Sequence, residues 1–341
     1  MSIWALLVIV GILLIVLHIP PGMIWAERKV AARIQGRWGP TRVGPFGLLQ
    51  PLADAVKLLT KEEVIPRGAE RPLYYMGPLL AFVPGALALA VVPFGHDMRV
   101  GDTVIQLQIA DLHVGVLFVL ALTSLAVYGL AFGGWSSDSK YPLLGGLRSS
   151  AQMVSYEVAL GLAVVAVIMS AGTVSIREMV LAQQELLFGF LPAWNVFFQP
   201  VAALIFLVAA FAENNRLPFD MPEAEAELVG GYHTEYSGMK FGMFFLGEYV
   251  AMTVMSAVMV SLFFGGWGLP GLTDPHDTSV GNALVSAAVF LVKVAALLFF
   301  YIWVRWTLPR FRYDQLMRLG WKVLIPLALA NVVVTGLFGV L

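Results

Sequence analysis

The chain has 341 residues, of which 59% are hydrophobic and only 13% are charged, and its formal net charge is −1. Globular proteins carry about 25% charged residues, so this composition excludes an ordinary soluble protein and also an intrinsically disordered one. Because the sequence contains no cysteine, it also excludes a disulfide scaffold, thiolate-bound zinc, iron–sulfur clusters and a cysteine nucleophile of the chain's own. We expect an all-α polytopic membrane protein.

Long apolar segments with almost no charged residues predict eight transmembrane helices. About 20 apolar residues, each rising 1.5 Å along a helix, cross the hydrocarbon core of a bilayer. We therefore expect one membrane domain over 1–341, with spans at about 3–26, 73–95, 113–134, 150–172, 193–213, 241–266, 282–306 and 322–341. Every second connection forms a loop on one side of the membrane, at 27–72, 135–149, 214–240 and 307–321.

The distribution of basic residues predicts the orientation. Eighteen of the 21 lysines and arginines lie within or beside these four loops, whereas only Arg99 and Arg177 lie on the opposite side and Lys293 lies within a span. Cytoplasmic loops carry the excess of Lys and Arg in membrane proteins. The four loops are therefore expected to face the cytoplasm or an organelle matrix, with both termini outside.

The first loop, 27–72, contains three kinds of sequence. Residues 27–33 form a dense cluster of charges, which is typical of anchoring at the membrane interface. Four glycines and two prolines among residues 36–47 predict a stiffly turned segment. Residues 48–61 place apolar side chains at helical spacing on one face, which predicts an amphipathic helix in the interface. Such a helix is either a plain membrane-surface element or one wall of a cavity that opens to lipid.

The third loop is acidic. Six acidic and two basic residues lie from Glu213 to Lys240, a sum of −4, whereas the first loop sums to +4. Because both loops are expected on the same side, we expect electrostatic attraction between them. The alternative is a solvated acidic loop, which the interleaved aromatic and aliphatic side chains disfavour. Pro222 and the pair Gly230 and Gly231 predict the start and the end of a short helix within this loop.

Ionisable side chains also occur inside the predicted spans. Three carboxylates lie in or at the edge of spans, and tyrosines flank two of them: Glu157, Glu213, Glu248, Tyr156 and Tyr249. Such groups are costly in a membrane, so they are functional candidates, and we interpret them as proton-handling groups. Pairing between helices for structural reasons is the alternative. Lys293 lies near the middle of the seventh span and requires a counter-charge or a water-filled cavity.

The loops and span ends together resemble one family, the H subunit of the proton-translocating NADH–quinone oxidoreductase (respiratory complex I), which includes the mitochondrial NADH dehydrogenase subunit 1. The segments that carry the resemblance are 27–40, 43–57, 61–62, 124–129, 134–141, 155–157, 218–220, 223–231, 235–237, 248–249, 303–305 and 310–316. They extend over nearly the whole chain. A long ordered set of this kind is far more specific than a single short motif.

The resemblance implies a subunit without a redox centre in an enzyme that reduces ubiquinone or menaquinone. The subunit would join the hydrophilic arm to the membrane arm and shape the tunnel by which quinone enters from the bilayer. It would bind no cofactor alone, since FMN and the iron–sulfur clusters belong to partner subunits. The other implied neighbours are small membrane subunits, antiporter-like pump subunits and membrane lipid, but no nucleic acid. The expected location is the bacterial cytoplasmic membrane, with both termini periplasmic.

The resemblance also implies which residues form the site. For the quinone chamber and its entrance these are Arg28, Lys29, Arg33, Trp38, Asp54, Ala55, Lys57, Arg216, Phe219, Asp220, Glu223, Glu225, Glu227 and Tyr232. For the proton path these are Glu157, Glu213, Glu235, Glu248, Tyr156, Tyr249 and Lys293. We expect no metal ligands. Ser124 stands where some members of the family have a glutamate, so a proton path must bypass this position or use water there.

Other classes of protein remain as alternatives. The same fold in a related assembly could receive electrons from ferredoxin or end in a hydrogenase, and co-purifying partners would decide this. A stand-alone transporter would transport its solute as a purified chain, but no inverted repeat or pair of broken helices is evident in the sequence. A passive anchor gains nothing from the desolvation cost of buried carboxylates, so the carboxylates argue against it.

Overall fold

A computed structural model describes residues 3–187, 191–222 and 225–340 of the chain, and these residues are predominantly helical. The helices are α1 Ile3–Ile34, α2 Gln50–Thr60, α3 Arg71–Ala88, α4 Gly115–Ser136, α5 Lys140–Ala171, α6 Ile176–Ala182, α7 Asn195–Phe198, α8 Pro200–Glu213, α9 Glu225–Leu228, α10 Gly238–Phe263, α11 Val280–Thr307, α12 Tyr313–Leu319 and α13 Ile325–Val340. Short 3₁₀ segments are Pro45–Gly47, Leu89–Val91 and Gly231–His233, and a π-helical turn, Gly320–Leu324, joins α12 to α13. Two antiparallel hairpins pair β1 Met98–Val100 with β2 Thr103–Ile105, and β3 Leu186–Leu187 with β4 Leu191–Pro192.

The all-α polytopic class is confirmed. Among the described residues, seven helical segments are long and apolar enough to cross a membrane, and α8 is a shorter apolar helix of 14 residues. The fifth predicted span corresponds to α7 and α8, which are separated at Gln199 rather than continuous. Pro200 accounts for the break, because a proline starts a helix well but disfavours helical backbone at the residue before it.

Several helices extend beyond the apolar segments on the side of the basic loops. Helix α1 continues to Ile34, and α5 begins at Lys140, so most of the predicted loop 135–149 is helical. With 32 residues, each of these helices measures about 48 Å, which exceeds a hydrocarbon core of about 30 Å. Hydropathy reports only the part of a helix that lies within the lipid, whereas charged residues extend it into the interface.

The predicted amphipathic helix in the first loop is α2. All of its residues are at least partly exposed, and its apolar side chains Leu52, Val56 and Leu59 are among the exposed ones. It contacts both α1 and α10. The exposed apolar stripe and the flanking charges fit a helix lying at the membrane surface.

Helices α5, α8 and α10 supply the centre of the bundle. Phe206 of α8, Leu160 of α5 and Val254 of α10 are completely buried in one continuous hydrophobic core. Helix α3 packs against α4 and α10, while α13 packs against α5. Glu213 at the end of α8 is therefore held inside the protein rather than in lipid.

Helices α3 and α4 approach each other through glycine. A Cβ atom on Gly129 would lie 2.5 Å from the backbone nitrogen of Ala81, a distance that real contacts do not reach. We expect Gly129→Ala to force the helices apart and to lower stability by about 1–3 kcal/mol or more. The matched control is Gly161→Ala on α5, where a Cβ would meet nothing within 4 Å. The measurement is the amount of chain in the assembled complex on native gels, and equal amounts of both variants would contradict the prediction.

Candidate functional site

A buried ion network joins four parts of the chain at the end of α1. Glu27 lies 2.5 Å from Arg305 Nη1 on α11 and 3.4 Å from Arg216 Nη1 in the third loop. The Tyr249 hydroxyl of α10 donates a hydrogen bond to Glu27 at 2.7 Å. Arg216 Nε in turn lies 2.5 Å from Glu248 Oε1. Two guanidinium groups are therefore balanced by two carboxylates in one connected cluster.

The network lies away from solvent. Arg216 is 3% exposed and Glu27 is 7% exposed. The Arg216 guanidinium also stacks on the Tyr249 ring, 4.6 Å from its centre. Buried charges in proteins persist when they are paired and hydrogen-bonded, because an unpaired one carries a large desolvation cost. The network consequently locks α1, the third loop, α10 and α11 together.

Sequence reasoning assigned no site role to Glu27 or Arg305, although both are in the network. Each lies at the end of a predicted span, where a charged residue normally marks the membrane interface. The available signal was that Glu27 is the single acid within the basic cluster 27–33. An acid among bases indicates an ion pair, but it does not name the partner.

Glu213 and Glu248 line the same small cavity. The cavity has a volume of about 40 Å³, and Leu130, Tyr232 and Phe244 form part of its wall. A buried water occupies roughly 10–15 Å³ of such volume, so there is room for two or three waters. Glu213 is buried at the end of α8, and its Oε2 atom has no hydrogen-bond partner within the described residues. A water in the cavity would satisfy that atom.

Glu157 lies near Glu213, where α4 and α5 meet. The Ser124 hydroxyl of α4 donates a hydrogen bond to Glu157. Glu157 is close enough to Glu213 for their charges to interact, and the neighbouring Thr123 hydroxyl hydrogen-bonds to Glu213. Position 124, where some members of the family have a glutamate, thus carries a serine whose hydroxyl contacts Glu157.

The third loop is held by the segment that precedes α12. Asp220 pairs with Arg310 at 2.9 Å, and the Phe219 ring lies 5.5 Å from the Phe311 ring. Gln152 of α5 donates to the Phe219 carbonyl at 2.8 Å. These contacts hold the start of the third loop against α5 and against the segment that precedes α12.

The rest of the loop has separate contacts. Glu227 pairs with Arg148 of α5 at 2.6 Å, and Tyr232 packs edge-on against Phe244. The backbone carbonyl of Glu235 accepts a hydrogen bond from the Tyr74 hydroxyl at 2.9 Å. The predicted site residue Glu223 lies outside the described residues, and so does the side chain of Glu225.

The predicted entrance residues surround the junction of α1 and α2. Arg28 pairs with Asp54 at 2.6 Å and thereby ties α2 to the end of α1. Arg33 stacks on the exposed Trp38 ring at 4.4 Å. The remaining three predicted residues lie nearby in sequence, Lys29 on α1 and Ala55 and Lys57 on α2. The structure therefore places these residues on α1, on α2 and in the segment between them, with one ion pair joining the two helices.

Two of the predicted proton-path residues lie apart from the carboxylates' cavity. The Tyr156 hydroxyl donates to the Leu316 carbonyl of α12 at 2.9 Å. Lys293 lies beyond the C-terminal end of α10 and donates to the carbonyls of Phe264, Gly266 and Gly268. Phe264 follows Glu248 by sixteen residues, which is about 24 Å along a helix.

His233 in the third loop predicts a pH dependence. Burial lowers the pKa of His233 from 6.5 to about 4, and its ring stacks on Phe241. In the unfolded chain this histidine takes up a proton near pH 6.5, whereas in the folded protein it stays neutral down to about pH 4. The stability that the buried neutral His233 contributes is therefore complete above pH 6.5 and falls as the pH decreases towards 4. We expect His233→Phe to lose less stability than the unmodified protein between pH 7 and pH 5. Inactivation temperatures of the purified complex at both pH values test this, and parallel decreases would contradict it.

The polar groups at the site were compared with the ligand sets that hold metal ions. No group of three or more His, Asp or Glu side chains within the described ranges converges to hold a metal ion. The polar groups at the site are instead carboxylates, guanidiniums and hydroxyls. Carboxylates and hydroxyls can exchange protons, and guanidinium groups bind anions.

Comparison with known proteins identifies the family. The sequence profile described as NADH dehydrogenase matches residues 5–336. The NADH-quinone oxidoreductase H subunit numbered 2 of Koribacter versatilis is 49% identical, over 98% of this chain and 96% of the relative. A protein of the same name from Geobacter sulfurreducens is 51% identical, over 95% and 93%. NADH-quinone oxidoreductase subunit 8 of Rhodothermus marinus is 52% identical, over 92% and 91%. The chain belongs to the NADH dehydrogenase family, together with these subunits of NADH-quinone oxidoreductase.

Proposed function

We propose that this chain is the membrane subunit of an NADH:quinone oxidoreductase that forms the quinone entrance and chamber with the hydrophilic arm and couples quinone reduction to proton translocation. The names of its relatives support the enzyme, because all three are subunits of NADH-quinone oxidoreductase. The same names favour NADH over ferredoxin as the electron donor. FMN and the iron–sulfur clusters belong to partner subunits in this proposal, and quinone is the substrate.

The quinone entrance lies between α1, α2 and α10. The exposed apolar face of α2 would contact the isoprenoid tail, since both belong at the membrane interface. The Arg28–Asp54 pair and the Glu27 network lie beside this face and provide polar groups for the quinone head. Quinone is amphiphilic, so its site requires an apolar surface for the tail and polar groups for the head.

The proton path runs through the buried carboxylates. One observation carries this part of the proposal: Glu213 and Glu248 line the same cavity. On one side Glu248 is paired with Arg216 and so with the third loop, and on the other side Glu157 neighbours Glu213 and contacts Ser124. A serine hydroxyl both donates and accepts hydrogen bonds, so Ser124 can pass a proton to Glu157 where relatives use a carboxylate.

The coupling is electrostatic. Reduction of a quinone to a quinol consumes two electrons from the partner subunits and two protons. When acidic side chains at the chamber supply these protons, they are left negatively charged. This added charge beside the third loop alters the Arg216–Glu248 pair and thereby the distribution of protons between Glu248 and Glu213. This is a coupling free energy between two sites, and no proton passes directly from quinone to the bulk.

The position of Glu157 implies a neighbouring membrane subunit. Glu157 is partly exposed on α5 and is flanked by the exposed Val154, Val158 and Leu125. A carboxylate within a span does not face lipid, so another subunit covers this surface and continues the path. In this arrangement the basic loops face the cytoplasm and both termini are periplasmic in the bacterial inner membrane.

The proposed quinone entrance can be tested by photolabelling. A quinone with a photoreactive azide on its isoprenoid tail would be added to the assembled complex and illuminated, and the labelled peptides would be identified by mass spectrometry. We expect labels on this chain within residues 27–61, and we expect excess short-chain quinone to suppress them. Labels confined to other subunits, or labels that competition leaves unchanged, would refute the entrance.

A further inference from the structure

Lys293 has an unusual environment for a charged group in a membrane helix. Its ammonium nitrogen lies 2.8 Å from the carbonyl oxygen of Phe264, 3.0 Å from that of Gly266 and 2.7 Å from that of Gly268. The Trp194 ring centre lies 4.6 Å away, at a distance typical of a cation–π contact. An ammonium has three N–H donors, and here each has a main-chain carbonyl as its acceptor.

The carbonyls converge because α10 ends there. The last carbonyls of a helix lack partners within it, and the C-terminal end carries a partial negative charge. Gly265 and Gly266 have φ values of 68° and 53°, a left-handed backbone that turns the chain back and directs these carbonyls towards one point. An ammonium group at that point satisfies the acceptors and neutralises the charge of the helix end.

The surroundings leave little freedom for this turn. A Cβ atom on Gly265 would lie 2.4 Å from the Trp194 ring nitrogen, and one on Gly266 would lie 2.6 Å from Val180. The Gln183 side chain donates to the Ser261 carbonyl at 2.9 Å and accepts from the Gly265 nitrogen at 3.0 Å. The turn is therefore enclosed by α6, the residues before α7 and α11.

We propose that the carbonyls of Phe264, Gly266 and Gly268, with the Trp194 ring, form a binding site for a primary ammonium group that Lys293 occupies, and that this site fixes α10 against α11. Lys293 is a positioning residue in this proposal. Arg305 on the same helix joins the Glu27 network, so α11 is attached to its neighbours at two levels about 18 Å apart. Two attachments prevent α10 and α11 from sliding past each other, which keeps Tyr249 on α10 and Arg305 on α11 both within reach of Glu27.

The alternative role for Lys293 is proton transfer. Carbonyl oxygens of the main chain do not take up protons at physiological pH, so the three groups that surround the ammonium cannot relay one. The two roles make different predictions. A proton carrier is needed only for pumping, whereas a positioning residue affects the lifetime of the assembled complex and leaves the number of protons pumped per electron unchanged.

The test uses the assembled complex with Lys293→Ala. We expect the variant to dissociate about tenfold faster on warming, as followed on native gels, because several buried acceptors lose their donor. Propylammonium has the atoms that the substitution removes, so it should restore most of the lifetime, whereas tetramethylammonium has no N–H donor and should not. The control is Lys322→Ala at an exposed position, which should match the unmodified complex.

Three results would overturn the proposal: an unchanged lifetime for Lys293→Ala, equal rescue by both ammonium ions, or a lower proton-to-electron ratio in Lys293→Gln with normal quinone reduction. Lys293→Gln retains two N–H donors and serves as the test variant if Lys293→Ala does not assemble. The dissociation rate and its rescue do not depend on the quinone entrance or on the carboxylate path, so a failure of either proposal is recognised separately.

Discussion

Replacing Arg216 with methionine should abolish quinone reduction and lower the stability of the assembled subunit by about 3–5 kcal/mol. Arg216 lies between two carboxylates, Glu27 at 3.4 Å and Glu248 at 2.5 Å, and it is almost completely buried. Methionine fills a similar volume but leaves one negative charge more than the network can compensate. The third loop would lose the ion pairs that join it to α1 and α10, and the proposed quinone chamber beside it would lose its shape.

Arg312→Met is the matched control for Arg216→Met. Arg312 also pairs with an acid, Asp314 at 3.5 Å, but both side chains are mostly exposed, so its loss should cost less than about 1 kcal/mol. The double variant Arg216→Met with Glu248→Gln should recover part of the stability, because it removes the uncompensated charge. Native gels and quinone reductase rates measure both effects. Normal activity of Arg216→Met would show that the network is dispensable.

Replacing Glu213 with glutamine should reduce proton pumping at least about tenfold, equivalent to about 1.4 kcal/mol or more in the coupled step. Glutamine has nearly the same shape and keeps a carbonyl that can accept the Thr123 hydrogen bond, but it cannot carry a proton. Glu213 interacts with the charge of Glu157 and lines the cavity shared with Glu248, so the proposed path uses it to connect the two. Quinone reduction should fall along with pumping, since the proposed mechanism couples them.

Glu213→Asp and Glu185→Gln are the controls for this prediction. Aspartate retains the ionisable group at a shorter reach, so it should restore part of the pumping. Glu185 is exposed in the connection after α6 and belongs to no described part of the path, so its substitution should have no effect. Pumping is measured with a pH-sensitive dye in proteoliposomes of the purified complex. Unchanged pumping and quinone reduction in Glu213→Gln would remove this residue from the mechanism.

The helical class could be predicted because lipid imposes a length and a composition on each helix that crosses it. The break at Gln199 was not predicted, because proline at position 200 is compatible with either a kink or a new helix. The three buried carboxylates were recognisable by their rarity within apolar sequence. The partners of Lys293 could not be predicted, because every residue has a main-chain carbonyl and the sequence does not identify which ones accept. Only the glycines at 265 and 266 indicate a turn.

The Glu27 network was beyond sequence reasoning for a different reason. One of its two shortest ion pairs joins residues that are 278 positions apart, and each partner alone resembles an ordinary interfacial charge. Pairing of this kind depends on the packing of α1, α10 and α11. Local patterns therefore predicted the helices and the candidates for proton transfer, whereas tertiary contacts determined which charges form one cluster.

The separation of Glu27 and Arg305 along the chain has a consequence for synthesis. Ribosomes add about 5–20 residues per second, so roughly 15–55 s pass between the appearance of the first partner and that of the last. During that interval Glu27 lacks Arg305, so even after Arg216 has been added the network is one positive charge short, and complete burial of Glu27 would be costly. Final seating of α1 therefore waits for α11, and a chain truncated before α11 retains an exposed charged end that distinguishes it from the finished subunit.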